Sequence, residues 1–255
     1  MMAALLYLGA GSGMSLIALY RLKAGKLKPE MNLTRKELPY SAGMILLDIL
    51  APIMLMLGLR LTTPATVSLL NNFEIVATSL IALFIFKEFI HKRLWIAIGL
   101  ITISSILLSV EDFGSLSFSA GSLLVLLAAV SWGLENNITR MLSVKDPLQV
   151  VILKGFGAGT GSLIISFTLR ETTTDIPYIL LTLLLGFVSY GLSIYLYVYA
   201  QRYLGAAKTS AYYAVAPFIG AALSFIIFFE LPSLTFIIAL IIMIIGTYFA
   251  TTDSK

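Results

Sequence analysis

The chain has 255 residues, 59% of them hydrophobic and only 12% charged, with a mean hydropathy of +0.97, a balance that a soluble domain of this size does not carry on its surface. The formal charge of +4 comes from basic residues confined to alternate loops, which speaks for membrane topology and against nucleic acid as a partner. Zero cysteines exclude disulfides and thiol chemistry, and the lone His91 sits in a Lys/Arg-rich loop, so a metal site of the His or Cys type is not expected.

A hydrocarbon core about 30 Å thick takes about 20 apolar residues as a helix, and nine such stretches follow one another along the chain. The first, 2–20, opens on Met1-Met2-Ala3-Ala4 with no basic segment before it, so it reads as a retained helix rather than a signal peptide. The second, 39–59, carries Asp48 one turn before Pro52, and the third, 64–86, starts at Pro64 and sets Asn71, Glu74 and Thr78 on one stripe. After 94–110 comes 119–142, with Trp132, Glu135, Asn136, Asn137 and Thr139. Span 148–169 carries Lys154 ahead of Gly155, Gly157, Gly159 and Gly161, and spans 177–200 and 209–229 are rich in tyrosine. The last span is 233–251. Inside lipid every backbone polar group pairs within its own segment or in a closed barrel, and runs this long and non-alternating select helices. The expected fold is an all-α polytopic membrane helix bundle of about nine transmembrane helices.

The loops alternate in charge. One set holds Arg21, Lys23, Lys26, Lys28, Arg35, Lys36, Lys87, Lys92, Arg93, Arg140, Lys145, Arg202, Lys208 and Lys255, which is 14 of the 17 basic residues. The opposite set holds Arg60 and Arg170 beside Glu111, Asp112, Glu171, Asp175 and Glu230. The basic side is expected to be cytoplasmic. That places the C-terminus inside and, with nine spans, the N-terminus outside a multi-pass protein of the cell membrane.

Residues 60–107 slide onto 202–249 at a constant offset of 142, matching Arg60/Arg202, Ala65/Ala207, Ser68/Ser210, Ile85/Ile227, Phe86/Phe228, Glu88/Glu230, Ile96/Ile238 and Ala97/Ala239. In both copies a span ends in Glu and another follows after a tight connection, yet the charge map puts Glu88 inside and Glu230 outside. Repeats of opposite orientation are a mark of many secondary transporters, whose halves rock around a site near the bilayer midplane.

The chain resembles the EamA-type family of the drug/metabolite transporter superfamily along essentially its whole length. Leu5-Leu6-Tyr7-Leu8-Gly9-Ala10-Gly11 is similar to the family's second helix, and the segment from Leu59 through Arg60 and Pro64 to Leu70 resembles the lead into its fourth. Lys87-Glu88, Phe229-Glu230 and the run from Ser131-Trp132-Gly133 to Arg140 carry the rest. The resemblance implies two inverted five-helix repeats, of which this chain begins at the second helix. The expected organisation is therefore 4+5: residues 1–112 as an incomplete first repeat and 118–251 as the second. It also implies export more than import.

A charged side chain at a helix centre costs roughly 2.5–3.5 kcal/mol on translocon scales, so ionisable groups in the spans are the first candidates. Glu135 lies beside Asn136 and Asn137 and shares a helical face with Trp132 three residues before and Thr139 four after. It reads as a binder of a substrate ammonium or a coupling proton, against the plainer reading of a carboxyl bonded to a neighbouring helix. Glu74 with Asn71 forms the second polar stripe, and a structural pairing with Lys154 competes with a substrate role. Lys154 either holds a substrate carboxylate or neutralises a buried acid. Asp48 is read chiefly as a cap for backbone groups freed by Pro52. Tyr190 and Tyr213 are the aromatic pocket candidates, Tyr199 and Tyr203 interface anchors, and Glu88 and Glu230 structural.

These residues describe a secondary active transporter of small polar metabolites, including amino acids, working by alternating access and using no cofactor or metal. The expected partners are the lipid bilayer, a small-molecule substrate and protons, with a homodimer as a further candidate assembly. A non-transporting accessory subunit, or a form that needs a partner helix, is the alternative. No Ser/His/Asp set, metal-ligand cluster or phosphate-cradling glycine loop speaks for an enzyme.

Overall fold

The computed structural model describes residues 1–25, 32–62, 67, 70–109, 119–216, 219, 223, 226 and 234–252. Among these residues there is no strand, and nine helices follow in chain order: α1 (Met2–Lys23), α2 (Leu38–Leu61), α3 (Phe73–Phe84), α4 (Lys92–Ser109), α5 (Ala120–Leu142), α6 (Pro147–Thr168), α7 (Ile176–Leu204), α8 (Ala206–Tyr213) and α9 (Leu234–Thr251). Helices α1, α2, α5, α6 and α7 are long and apolar enough to cross a membrane. Leucines such as Leu16, Leu181 and Leu234 stand exposed on the helix surfaces, as expected where the solvent is hydrocarbon. The protein is an all-α membrane helix bundle. Within the expected spans 64–86 and 209–229, α3 and α8 are described, while 63–66, Pro217, Glu230, Glu111, Asp112 and the loop lysines Lys26 and Lys28 lie outside the described residues.

The helix ends follow local chemistry. Asp146 and Asp175 cap α6 and α7, their carboxylates accepting from the amides of Leu148 (3.0 Å) and Tyr178 (3.2 Å), each with proline in the first turn. Ahead of α2 a short 3₁₀ turn, Arg35–Glu37, is held by a Thr34/Glu37 capping box. Helix α7 departs from a plain span, because Gly186–Leu192 winds as a π-helix between two α-helical stretches.

The chain divides into two compact units, each drawing on both halves of the sequence: Met1–Pro52 with Ile138–Tyr203, and Ile53–Asn137 with Leu204–Lys255. These boundaries follow packing and differ from the similarity-based repeats 1–112 and 118–251.

In the first unit α1 packs against α6 and α7 through glycines. A Cβ on Gly155 would lie 2.5 Å from the Gly11 amide nitrogen, and one on Gly9 would collide with the Leu183 carbonyl. Lipid offers no hydrophobic drive between helices, so close backbone approach at small residues is what holds them together. Met14, Met44, Leu142, Leu148, Val150, Val151 and Val198 fill the core. Arg202, at the end of α7, donates to the carbonyls of Ser143 (2.6 Å) and Lys145 and so ties down the α5–α6 turn.

In the second unit α4 and α9 pair, with the Ser104 hydroxyl donating to the Ala239 carbonyl and Ile101 and Met243 in the core. Gly205 holds a left-handed φ of +79° at the start of α8, where any side chain would meet the Glu88 carboxylate. Glu88 Oε2 accepts from the Ala206 amide at 3.1 Å and caps that helix, in keeping with its structural reading.

Candidate functional site

Two buried polar clusters form, one in each unit. In the second unit, α5 reaches α3 because Gly133 has no side chain: a Cβ there would lie 2.8 Å from both the Ala77 Cβ and the Thr78 amide nitrogen. The close approach brings two amides onto α3. Asn136 Nδ2 donates to Glu74 Oε1 (2.9 Å) and to the Thr78 hydroxyl (3.2 Å). Asn137 Nδ2 donates to the Thr78 carbonyl (2.9 Å) and the Gly133 carbonyl (2.8 Å). An amide nitrogen has two donor hydrogens, and in both residues both are used.

The acceptor side is less complete. Asn137 is 1% exposed, and its Oδ1 takes no hydrogen bond among the described residues. The same holds for the buried Oδ1 of Asn71, just ahead of α3. A buried acceptor without a donor forfeits about 1–3 kcal/mol of solvation. Chemically this surface, with the Glu74 carboxylate beside it, suits a ligand that donates hydrogen bonds and carries positive charge.

Glu135 and Thr139 lie buried on α5 at 3% and 2% exposure, and Trp132 is half-buried on the same helix. Tyr213 closes α8 with 54% of its surface exposed, which sets it apart from the buried cluster.

In the first unit the structure assembles a network the sequence did not spell out. Lys154 Nζ on α6 lies 3.2 Å from Asp48 Oδ2 on α2, with both side chains buried. The Tyr7 hydroxyl on α1 donates to Asp48 Oδ1 at 3.2 Å, and the Tyr190 ring on α7 meets the Tyr7 ring edge-on at 5.3 Å. Lys154 thus has the buried acid Asp48 as a partner. The cap reading of Asp48 is corrected: a carboxylate only accepts, and what Pro52 leaves unpaired is a carbonyl. Tyr7 was missed as an individual residue. The available signal was a tyrosine in the apolar first span and opposite charges in two later ones.

Tyr199 and Tyr203, exposed at 45% and 67%, stack edge-on at 5.4 Å, and the Arg202 guanidinium lies 5.9 Å from the Tyr199 ring. Their position near the end of α7 suits side chains with an apolar ring and a polar tip.

Residues 1–110 and 119–252 match the EamA-like transporter family. A relative from Methanothermobacter thermautotrophicus (strain Delta H), described as an uncharacterized transporter, is 29% identical over 219 residues, covering 83% of this chain and 63% of that protein. The match thus spans less than two-thirds of the relative's length. A crystal structure of 17% identity superposes with a TM-score of 0.81, covering 98% of this chain and 86% of that one, a likeness of fold.

Proposed function

This chain belongs to the EamA-like transporter family, and from that premise we propose that it carries small polar metabolites bearing an ammonium group, amino acids among them, by secondary active transport. The observation that carries the reading is the acceptor-rich cluster on α3 and α5. There Glu74 Oε1 and Thr78 are already bridged by Asn136, and the buried Asn137 Oδ1 takes no hydrogen bond among the described residues. A substrate ammonium donates hydrogen bonds of the kind these oxygens accept, and a carboxylate such as Glu74 favours its positive charge. Asn71, Glu135 and Thr139 are further polar residues proposed to bind, and Trp132 an aromatic one. Tyr190, Tyr213 and Lys154 complete the set of residues proposed to bind substrate or protons in the course of the cycle.

The repeats 1–112 and 118–251 are the elements proposed to rock in alternating access, with the C-terminus cytoplasmic, the cell membrane as location and export as direction. Uptake of a labelled amino-acid and metabolite mixture into proteoliposomes, with and without a pH gradient, tests this. Saturable uptake that falls on Glu74→Gln supports the reading, and no saturable uptake by folded protein refutes it. Blue-native sizing of the same sample checks the proposed homodimer, the alternative outcome being a complex with an unrelated membrane protein.

A further inference from the structure

The Tyr7–Asp48–Lys154 network lies apart from the polar face of α3 and α5 in sequence and has its own chemistry. Neither charge is tolerable alone in a membrane interior, so the Asp48 carboxylate must always be balanced. Here the Lys154 ammonium balances it at 3.2 Å, and the Tyr7 hydroxyl donates to its other oxygen. Tyr7 from α1 and Lys154 from α6 are titratable groups that face Asp48, with Tyr190 of α7 behind Tyr7.

A second observation concerns the helices that bear the network. Pro52 follows Asp48 by one turn and removes the amide that would bond the carbonyl of residue 48. Tyr190 lies within the π-helical stretch Gly186–Leu192. Lys154 is followed by Gly155, which sits against the Gly11 backbone. Prolines and π-turns are where helices bend, and π-turns recur at functional sites. A proline, a π-helical stretch and a close glycine contact therefore lie on the helices that carry the Asp48–Lys154 network.

We propose that Asp48 is a proton-binding site whose built-in competitor is Lys154. When the helices part at this level, the Asp48–Lys154 contact breaks and a hydronium ion from the aqueous side gives its proton to the Asp48 carboxylate: one O–H bond of hydronium breaks, one O–H bond forms on the carboxyl, and neutral water leaves. Lys154 stays an ammonium and turns to water or to an anionic group. No other bond changes. The carboxyl is balanced in both states, by the lysine in one and by the proton in the other, so its protonation follows the conformational cycle. That coupling rests on the transporter reading, whereas the proton site itself does not.

Infrared spectroscopy of the purified full chain in lipid vesicles at neutral pH reads the site directly. In Lys154→Met the competitor is gone, so a protonated carboxyl band absent from wild type is expected, and it should vanish again in Asp48→Asn/Lys154→Met. A folded Lys154→Met protein without the added band overturns the proposal. Should that variant fail to fold, Tyr7→Phe keeps the ion pair but removes the hydroxyl that favours the carboxylate. On acidification its band should then appear at higher pH than in wild type, and an unchanged onset overturns the proposal. Uptake of the labelled amino-acid mixture supplies the second arm. Wild type should respond to an imposed acid gradient and the double variant should not, while a double variant with wild-type gradient response overturns the coupling. No uptake by wild type counts against the transporter reading, and the infrared result still decides the proton site.

Discussion

Lys154 Nζ sits 3.2 Å from Asp48 Oδ2 with both side chains buried, so two helices that meet through an ion pair share one neutral unit in the membrane. Removing one partner strands the other. Lys154→Met or Asp48→Asn alone is expected to destabilise the protein by about 3–5 kcal/mol, whereas the double variant should recover most of that loss. Thermal unfolding followed by the fluorescence of Trp95 and Trp132 measures all three. Additive losses would show that the pair is not an energetic unit.

The α1–α6 contact depends on the absence of a side chain at residue 155. Gly155→Ala brings a Cβ to 2.5 Å from the Gly11 amide nitrogen, backbone that cannot swing away, and is expected to cost about 1–3 kcal/mol. Gly99, whose Cβ would meet nothing within 4 Å, provides the control: Gly99→Ala should be neutral or mildly stabilising in the same unfolding assay.

Asn136 is the bridge between Glu74 and Thr78. Asn136→Ala should lower stability only modestly, by about 0.6–1.7 kcal/mol as for other hydrogen bonds between membrane helices. Its effect on uptake should be larger, because Glu74 loses the hydrogen bond that Asn136 donates. A half-saturation concentration that stays at the wild-type value would separate this cluster from substrate binding.

Glu88 caps α8 through the Ala206 amide, across a glycine held at φ +79°. Glu88→Ala is expected to cost about 0.5–2 kcal/mol from the lost cap. Gly205→Ala should cost at least as much, since it adds backbone strain to a clash with the carboxylate. Neither change should alter which labelled solutes are taken up. A shifted substrate profile would move Glu88 from structure to function.

Five of the spans, the helical class and the family were legible from the chain alone, and one physical cause underlies this. In hydrocarbon each helix satisfies its own backbone, so 20 apolar residues declare a span without reference to any other segment. The same locality placed Trp132, Glu135 and Thr139 on one face of α5, with Asn136 and Asn137 beside it, because spacing on one helix is a property of that helix.

What the tertiary structure decided is which side chain meets which across helices. That Asp48 finds Lys154 and Tyr7, and that Asn136 finds Glu74 and Thr78, depends on glycines that set how closely two backbones approach. The π-helical stretch of α7, which carries Tyr190, has no periodicity signal in an apolar run. Neither does the division into two units that each take residues from both halves of the chain. Composition sets how long a helix is and that it lies in lipid. Only packing chooses its neighbours, because every apolar face is equally at ease against lipid and the selective contacts are the few small and polar residues.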